Sequence, residues 1–317
     1  MDIQNKHPNH VSDRLNTLLN VIMECVVFLL TFNYEILAAI YRLIIPPELK
    51  DLRGEIVLIT GTGHGIGKEL AYLYNANGCK VICVDINEKN NAQTVKELNA
   101  LRPDTAFHYK CDVSDRDAVL ELAKKVKADV GDVTVLVNNA GIMPTHPIER
   151  HTPDEIRNTL NINVLAHLWM LEAFLPSMYA KKRGHIVALA SIAGVVGLTN
   201  LVPYCATKFA VRGLMEALQV EIRELRPDCD INCTTVCPFM VKTGLCKKPK
   251  VRFPNLLDLL EPQEVAKQII LAHRKNLREL TLPRYLMYLN YLLRPFPYKC
   301  ALAFKDFMDS GVESDLS

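Results

Sequence analysis

The sequence predicts an α/β fold with a single doubly wound parallel sheet, helices on both faces, and an N-terminal apolar helix ahead of it. Two observations predict the sheet. Short apolar runs alternate with helical stretches along most of the chain, and the first run ends at a glycine-rich turn that leads into a helix. A third observation predicts the extra helix, because one long apolar segment precedes the first strand.

Composition and charge exclude several classes of protein. The 317 residues are 49% hydrophobic and 23% charged, which is typical of a packed globular chain and excludes a disordered one. With 37 Lys and Arg against 35 Asp and Glu, overall charge does not favour nucleic-acid binding. The ten cysteines form no CxxC pair, and the first ten residues lack the pattern of a secretory signal, so we predict a reduced, cytosol-facing chain.

The apolar segment spans residues 15–45 and precedes Pro46 and Pro47, which end any helix. At about 100° per residue its polar side chains fall on one stripe, with Asn33 on the opposite face. The members of the stripe are Thr17, Asn20, Glu24, Thr31, Glu35 and Arg42. The pattern favours membrane attachment, either in the plane of the interface or as a spanning helix whose stripe meets a partner. The alternative is an extra helix packed on the soluble domain or on a dimer partner.

The predicted strands follow in order after Gly54. They are residues 55–60, 80–86, 134–138, 185–191 and 230–237, with a helical pattern over 68–75 between the first two. The only linker-like stretch is residues 45–53. The sequence therefore predicts an anchor segment and linker over 1–51 and one catalytic domain over 52–317.

The glycine-rich turn predicts a dinucleotide site. Gly61, Gly65, Ile66 and Gly67 lie between the first strand and the first helix, where backbone N–H groups can approach a pyrophosphate. Asp85 ends the second strand, 20 residues beyond Gly65, where a carboxylate can accept hydrogen bonds from both ribose hydroxyls and repel a 2′-phosphate. No arginine follows Asp85 directly, so we expect NAD rather than NADP.

The second half of the chain supplies a constellation for proton transfer. Tyr204 and Lys208 are four residues apart on a predicted helix, which places phenol and ammonium on one face. A nearby ammonium and an oxidised nicotinamide both favour the phenolate, which can then act as a base. Ser191 ends the preceding strand and can hydrogen-bond the substrate oxygen, and Asn163 can hold a water that carries the proton from Lys208.

Taken together, these motifs resemble those of the short-chain dehydrogenase/reductase family, from about Gly54 to Leu282. The resemblance implies a Rossmann-like sheet and a catalytic tetrad of Asn163, Ser191, Tyr204 and Lys208, the last two also contacting the cofactor. It further implies the following cofactor contacts: Asp112 beside adenine, Asn138 and Gly141 supporting the strand beside the cofactor, and Thr243 near the carboxamide. Phe239 stands where the family usually carries glycine.

A narrower resemblance is carried by the phrases GEIVLITGTGHGIG, VGDVTVLVNNAG, PYCATKFA and CPFMVKTG. They are similar to the membrane-associated branch that contains epidermal-type retinol dehydrogenases and the type 11 and 13 17β-hydroxysteroid dehydrogenases. This implies attachment to the endoplasmic reticulum or lipid droplets, NAD as oxidant, a homodimer, and a lipophilic alcohol or carbonyl substrate, with retinol ahead of a steroid. The alternative function is a membrane or lipid-droplet scaffold that keeps the nucleotide fold and does little chemistry.

The region after Thr243 is expected to determine substrate specificity. Residues 245–260 mix leucines and Phe253 with four basic side chains, at Lys247, Lys248, Lys250 and Arg252. The segment is either a lid that lies against anionic lipid headgroups or a core-packing loop with solvated lysines. The aromatic and leucine-rich residues 282–297 are a second membrane contact, part of the substrate tunnel, or an ordinary packing surface.

Two apparent metal-ligand patterns are interpreted as structural, so no metal site is predicted. Cys229, Cys233 and Cys237 recur every fourth residue without a nearby histidine and are expected to be small buried side chains. His146 and His151 are expected to be surface histidines near the rim of the cleft.

Overall fold

A computed structural model describes residues 10–45, 48–254 and 257–316 of the chain. The predicted proline stop at Pro46 and Pro47, and Leu256 of the segment after Thr243, lie outside the described residues. The chain divides into two compact units, Met1–Leu49 and Lys50–Ser317.

The first unit contains one long helix, α1 (His10–Ile44). Within it, Asn16–Arg42 is long and apolar enough to cross a bilayer. Asn33, the polar residue outside the stripe, donates its amide N–H to the Leu29 carbonyl at 2.7 Å. One polar group of its side chain is thus bonded within the helix itself.

The second unit begins with four parallel strands and their connecting helices. In chain order these are β1 (Ile56–Thr60), α2 (Gly65–Ala76), β2 (Lys80–Asp85), α3 (Glu88–Leu101), β3 (Ala106–Lys110), α4 (Arg116–Asp129) and β4 (Val135–Asn138). Asp115 caps α4 by accepting from two backbone N–H groups of its first turn.

The chain continues through α5 (Pro153–Leu160), a π-helical turn (Asn161–Leu165), α6 (Ala166–Lys181), β5 (Arg183–Leu189), α7 (Val202–Leu225) and β6 (Asp230–Pro238). The remaining elements are β7 (Pro249–Lys250), α8 (Pro262–Arg274), β8 (Glu279–Leu282), α9 (Tyr285–Leu293), α10 (Tyr298–Met308) and β9 (Gly311–Val312).

Seven strands form one parallel sheet in the order β3-β2-β1-β4-β5-β6-β8. Buried side chains of α2, α3 and α8 pack on one face, and those of α4, α6 and α7 pack on the other. The predicted doubly wound sheet and its five predicted strands are confirmed, while β3 and β8 were not predicted. The order of strands reverses between β1 and β4, which is where ligands bind in such sheets.

A small two-stranded sheet lies beyond the main one. In it β7 pairs antiparallel with β9, so that the end of the chain is joined to the segment that follows Thr243. Val312 of β9 is buried. We call residues 309–315 the C-terminal strap.

Candidate active site

A cleft of about 380 Å³ opens at the carboxyl ends of β1 and β4 and is lined by residues from both halves of the sheet. The predicted site residues Gly61, Gly65, Ile66, Asp85, Asp112, Gly141, Ser191, Tyr204, Lys208 and Thr243 all line it. Three other predicted residues, Gly67, Asn138 and Asn163, lie behind its surface and are fully or almost fully buried. The cleft therefore brings together the predicted cofactor and proton-transfer residues.

The glycine-rich turn leaves room for a ligand against bare backbone. Gly61 has φ +76° and donates its N–H to the Val84 carbonyl at 2.7 Å. A Cβ at Gly67 would lie 2.1 Å from the Gly61 carbonyl oxygen, so only glycine permits this approach of helix to turn. α2 begins at Gly65 without a side-chain cap, and the N–H groups of its first turn remain available to an anion.

Asn139, which the sequence analysis did not single out, braces this turn from β4. Its amide donates to the carbonyls of Thr60 at 2.8 Å and Gly61 at 3.2 Å, and its backbone N–H donates to the Thr60 hydroxyl at 3.0 Å. The motif in which it occurs could have identified it, since both asparagines at 138–139 precede Gly141. Asn138 is buried, and its Nδ2 has no hydrogen-bond partner among the described residues.

Asp85 lies at the end of β2, beside the glycine turn. Its two carboxylate oxygens accept N–H groups from Gly63 and Asn87, both at 2.8 Å. Each oxygen retains a second lone pair that can accept a ribose hydroxyl. No Lys or Arg near Asp85 is among the described residues that line the cleft.

Two further predicted cofactor residues, Asp112 and Thr243, also line the cleft. Asp112 follows β3, and one of its oxygens accepts from the N–H and the hydroxyl of Ser114, at 2.9 and 2.7 Å. Thr243 packs against the start of α2, because a Cβ at Gly65 would lie 3.0 Å from its methyl carbon. These features fit an adenine dinucleotide: the backbone of the turn and the first turn of α2 can bind its pyrophosphate, and the Asp85 carboxylate can bind its ribose.

The phenol and ammonium predicted from spacing are neighbours on the first turns of α7. Lys208 Nζ lies 5.5 Å from the centroid of the Tyr204 ring and donates to the Leu189 carbonyl at 2.8 Å. Both side chains are buried. Ser191 follows β5 and accepts the N–H of Ala193 at 3.1 Å.

Asn163 lies on the π-helical turn between α5 and α6 and hydrogen-bonds the backbone of Ile142, in the loop that follows β4. Its Oδ1 accepts the N–H of Ile142 and its Nδ2 donates to the Ile142 carbonyl, both at 2.9 Å. A Cβ at Gly141 would lie 3.2 Å from Asn163 Oδ1 and 3.7 Å from Lys208 Nζ. Because residue 141 is glycine, the side chains of Asn163 and Lys208 can both approach the space that a Cβ would otherwise fill.

Burial disfavours the charged form of each group in the pair. It raises the pKa of Tyr204, against which the adjacent Ser191 hydroxyl acts in the opposite direction. It lowers the pKa of Lys208 to about 8. The protein alone therefore does not hold a stable phenolate, and a further positive charge is needed to favour one.

His167 is a buried neighbour of this pair that the sequence analysis missed. Burial lowers its pKa to about 3, with the charge of Lys208 acting in the same direction. Neither ring nitrogen has a hydrogen-bond partner among the described residues. Its position four residues after Asn163, on the same helical face, is the signal that could have found it.

Family comparisons agree with this geometry. A sequence model of the family described as short chain dehydrogenase matches residues 55–251. The chain belongs to the short-chain dehydrogenase/reductase family. It is 38% identical to Short-chain dehydrogenase/reductase family 16C member 6 of Bos taurus, over 84% of either chain.

Two human relatives of this family are also similar over most of their length. Epidermal retinol dehydrogenase 2 of Homo sapiens is 36% identical over 89% of this chain and 91% of its own. 17-beta-hydroxysteroid dehydrogenase 13 of Homo sapiens is 36% identical over 84% of this chain and 88% of its own. The protein is an oxidoreductase of the short-chain dehydrogenase type.

Solved structures share the fold of this short-chain dehydrogenase. One from Burkholderia phymatum, in complex with NAD, has a TM-score of 0.71, 24% identity, and covers 78% of this chain and 95% of its own. A metagenomic short-chain oxidoreductase in complex with NADP has a TM-score of 0.61, 27% identity, and covers 71% and 92%. With its family and its glycine turn, the protein is an enzyme that uses a nicotinamide dinucleotide.

Two expectations about neighbouring residues can be compared with the structure. Cys233 and Cys237 are buried on β6, as expected, and Cys229 is half-buried. The surface placement of two histidines was wrong, because His146 is buried and only 1% of the His151 side chain is exposed. The loop after β4 folds inward, with His146 N–H donating to the Asn200 carbonyl at 3.0 Å.

The basic segment after Thr243 contacts the C-terminal part of the chain. Lys247 and Lys250 pair with Asp315 and Asp309, at 3.5 and 2.7 Å. Lys248 Nζ donates to the Ser314 carbonyl at 3.2 Å, and Arg252 donates to the Phe307 carbonyl at 3.1 Å. These side chains are thus engaged within the protein. The cleft-lining residues that the structure describes include none from 283–297, so the structure does not support a tunnel there.

Proposed function

We propose that the protein is an NAD-dependent dehydrogenase that interconverts a lipophilic alcohol and its carbonyl, with retinol first and a 17β-hydroxysteroid next. One observation carries this proposal: Tyr204, Lys208 and Ser191 line the same cleft as the glycine turn and Asp85. Apolar side chains, including Met143, Leu198 and Phe239, line the substrate end, which favours an alcohol of low polarity. The names of the human relatives support the two substrate classes.

The proposed chemistry assigns one task to each side chain. The dinucleotide would accept the hydride from the carbinol carbon. Ser191 holds the substrate oxygen, and the Tyr204 phenolate takes the hydroxyl proton. Lys208 and the positive charge of the oxidised cofactor would together favour the phenolate, and Asn163 orders the route by which the proton leaves. Asp85 binds the adenosine ribose, so NAD is favoured over NADP.

Replacement of Tyr204 by phenylalanine tests the assignment. Y204F should lower kcat for retinol or estradiol oxidation by about 10³-fold, since it removes the base and leaves the ring. NADH fluorescence measures the rate, and the same signal titrates cofactor binding, which should not change. Y288F is the control, because Tyr288 is 73% exposed and lies outside the cleft. Substantial turnover by Y204F would contradict the mechanism.

The domain organisation is part of the proposal. Residues 1–51 form the anchor and linker, and residues 52–317 form the catalytic domain, which faces the cytosol from the endoplasmic reticulum or a lipid-droplet surface. The apolar length of Asn16–Arg42 supports attachment. The exposed aromatic side chains of 285–298, such as Tyr288 and Tyr298, support a second membrane contact. A homodimer is proposed through exposed apolar side chains of α6 and α7, such as Leu168 and Val220.

Removal of residues 1–45 tests the anchor. The truncated protein should move from the membrane fraction to the soluble fraction of cells, because it loses the only segment of the described residues that is long and apolar enough to span a bilayer. Carbonate extraction followed by immunoblotting measures the distribution. If the truncated chain still sediments with membranes, the anchor assignment is wrong and replacing Tyr288, Tyr291 and Tyr298 by serine is the next measurement.

A further inference from the structure

A second cluster of chemistry-bearing side chains lies outside the cleft. His146 and His151 belong to the loop after β4, and Glu155 belongs to the first turn of α5. One ligand-type atom from each of the three residues lies within 4.8 Å of the others. The site residues assigned above include none of them.

The two imidazoles are withdrawn from solvent. The exposed fraction is 7% for the His146 side chain and 1% for that of His151, whereas Glu155 is 36% exposed. The Nδ1 atoms of both histidines are buried and have no hydrogen-bond partner among the described residues. Buried nitrogen atoms normally have partners, so the unpaired Nδ1 of His151, which lies beside Glu155, indicates that the site takes a ligand.

Neighbouring hydrogen bonds orient two of the three side chains. His151 Nε2 lies 3.1 Å from the His146 carbonyl oxygen. Because a carbonyl only accepts, Nε2 carries the proton and Nδ1 presents its lone pair, 4.0 Å from Glu155 Oε2. Glu155 Oε2 also accepts the N–H and hydroxyl of Thr152, at 2.9 and 3.2 Å, which fixes the carboxylate.

The other carboxylate oxygen faces the second imidazole. Glu155 Oε1 lies 3.3 Å from His146 Nε2. Bonds of about 2.0–2.1 Å in tetrahedral geometry place ligand atoms about 3.3 Å apart, so this pair already has the required separation. A backbone carbonyl behind one histidine and a capping box behind the carboxylate are the supports that metal ligands usually have.

We propose that His146, His151 and Glu155 bind a divalent transition-metal ion, with Zn²⁺ the best fit, and that water completes the coordination. Two imidazoles and one carboxylate favour zinc over magnesium or calcium, which prefer oxygen ligands. The ion joins the loop after β4 to α5.

The loop that the ion would hold forms part of a wall of the cleft. Its residue Met143 lines the cleft, and the Thr145 carbonyl accepts the N–H of Asp315 in the C-terminal strap. Zinc binding therefore stabilises the strap and the wall together. The role is structural and is independent of the function proposed for Tyr204.

The test measures zinc binding by the full-length, tag-free protein in detergent after chelator treatment. Isothermal titration calorimetry should give one equivalent per chain, and H146A and H151A should each weaken binding at least about 10-fold. H108A is the matched control, because His108 is exposed on β3. Circular dichroism and NADH binding verify that each variant is folded.

X-ray absorption of the zinc-loaded natural sequence gives a readout that needs no variant. Two imidazoles with oxygen ligands at about 2.0–2.2 Å are expected. Sulfur at about 2.3 Å would mean that the exposed Cys25 or Cys300 binds the ion instead, and would overturn the proposal. Absence of stoichiometric binding, or equal binding by H146A, H151A and H108A, would overturn it as well.

Discussion

Burial shifts the pKa values of Tyr204 and Lys208 in opposite directions, and both shifts favour the uncharged form of the side chain. The pKa of the phenol is raised and the pKa of the ammonium is lowered to about 8. Tyr204 is therefore neutral in the protein alone and would ionise beside the positively charged nicotinamide. Proton transfer is thus coupled to the presence of the oxidised cofactor. Gly141 contributes at the same scale, because a side chain there would separate Asn163 from Lys208.

Gly67 provides a residue-scale prediction. G67A should weaken NADH binding by more than about 10-fold, because its Cβ would lie 2.1 Å from the Gly61 carbonyl oxygen and must displace the turn. G213A is the control, since Gly213 lies inside α7 with no atom near an added Cβ. It should stabilise the protein by roughly 0.5–1 kcal/mol. Fluorescence titration with NADH compares the variants, and equal affinity for both would contradict the role of the turn.

Much of the site could be predicted at this scale because its residues carry short motifs. The TGTGHGIG turn, Asp85, and the pair Tyr204 and Lys208 are weak signals when taken singly, but their order along the chain resembles that of a known family, and the structure brings them to one cleft. His167 belongs to none of these motifs, and only its spacing of four residues from Asn163 points to it. Its importance comes from burial beside Lys208, and burial is a property of packing between α6 and α7.

Among the elements, the strands of the sheet centre were predicted and those at its edges were not. The central strands β1, β2, β4, β5 and β6 are almost wholly buried runs of apolar residues. β3 alternates buried or half-buried residues with exposed ones over five positions, and β8 has four residues, so both sit at the edges with weak patterns. The pairing of β7 with β9 joins residues about sixty positions apart, and no local pattern predicts it.

Val312 carries the element-scale prediction. It is buried in β9 and lines the cleft. V312D should release the C-terminal strap, because it buries an unpaired carboxylate, and should raise KM for a lipophilic alcohol several-fold. The NADH dissociation constant should not change.

K250Q is the matched control for V312D. The pair of Lys250 with Asp309 is half-exposed, so its loss costs no more than about 1 kcal/mol. Initial rates over a range of substrate concentrations separate KM from kcat. An unchanged KM in V312D would show that the strap takes no part in the substrate end of the cleft.

For the whole molecule, three of the buried histidines contribute to the response to acid. Burial lowers the pKa of His167 and of His273 to about 3, and it lowers the pKa of His185 well below its ordinary value. The rings of His185 and His273 are in contact, with centroids 4.0 Å apart and planes tilted by 43°, and Tyr74 hydrogen-bonds the His273 ring. All three imidazoles are therefore neutral in the folded protein at physiological pH.

The sign of the pH effect follows from these pKa directions. An unfolded histidine titrates near pH 6.5, so unfolding takes up protons below that pH. The stability contributed by each neutral imidazole is fully present above about pH 6.5. For His167 and His273 it is lost as the pH falls toward about 3, with a slope of up to about 1.4 kcal/mol per pH unit for each group, and for His185 it is lost in the same direction.

H167L should lower by one the number of protons that the protein takes up when it unfolds in acid. The substitution removes no hydrogen bond, since neither ring nitrogen has a partner among the described residues. Urea denaturation of the full chain in detergent at about pH 7.5 and about pH 5 measures the change in unfolding free energy. H108Q, at an exposed position, should retain the sensitivity of the natural sequence. An identical loss of stability in H167L would mean that His167 does not contribute.

The C-terminal strap also limits how the enzyme can be labelled. Because Val312 forms part of the wall of the cleft, a fluorescent protein or affinity tag inserted within the strap would lie close to the cleft. A fusion at the amino terminus would adjoin the apolar helix α1. The exposed turn at Pro103 and Asp104, which leads into the amino end of β3 and so faces away from the carboxyl edge of the sheet, is the better insertion point for a reporter.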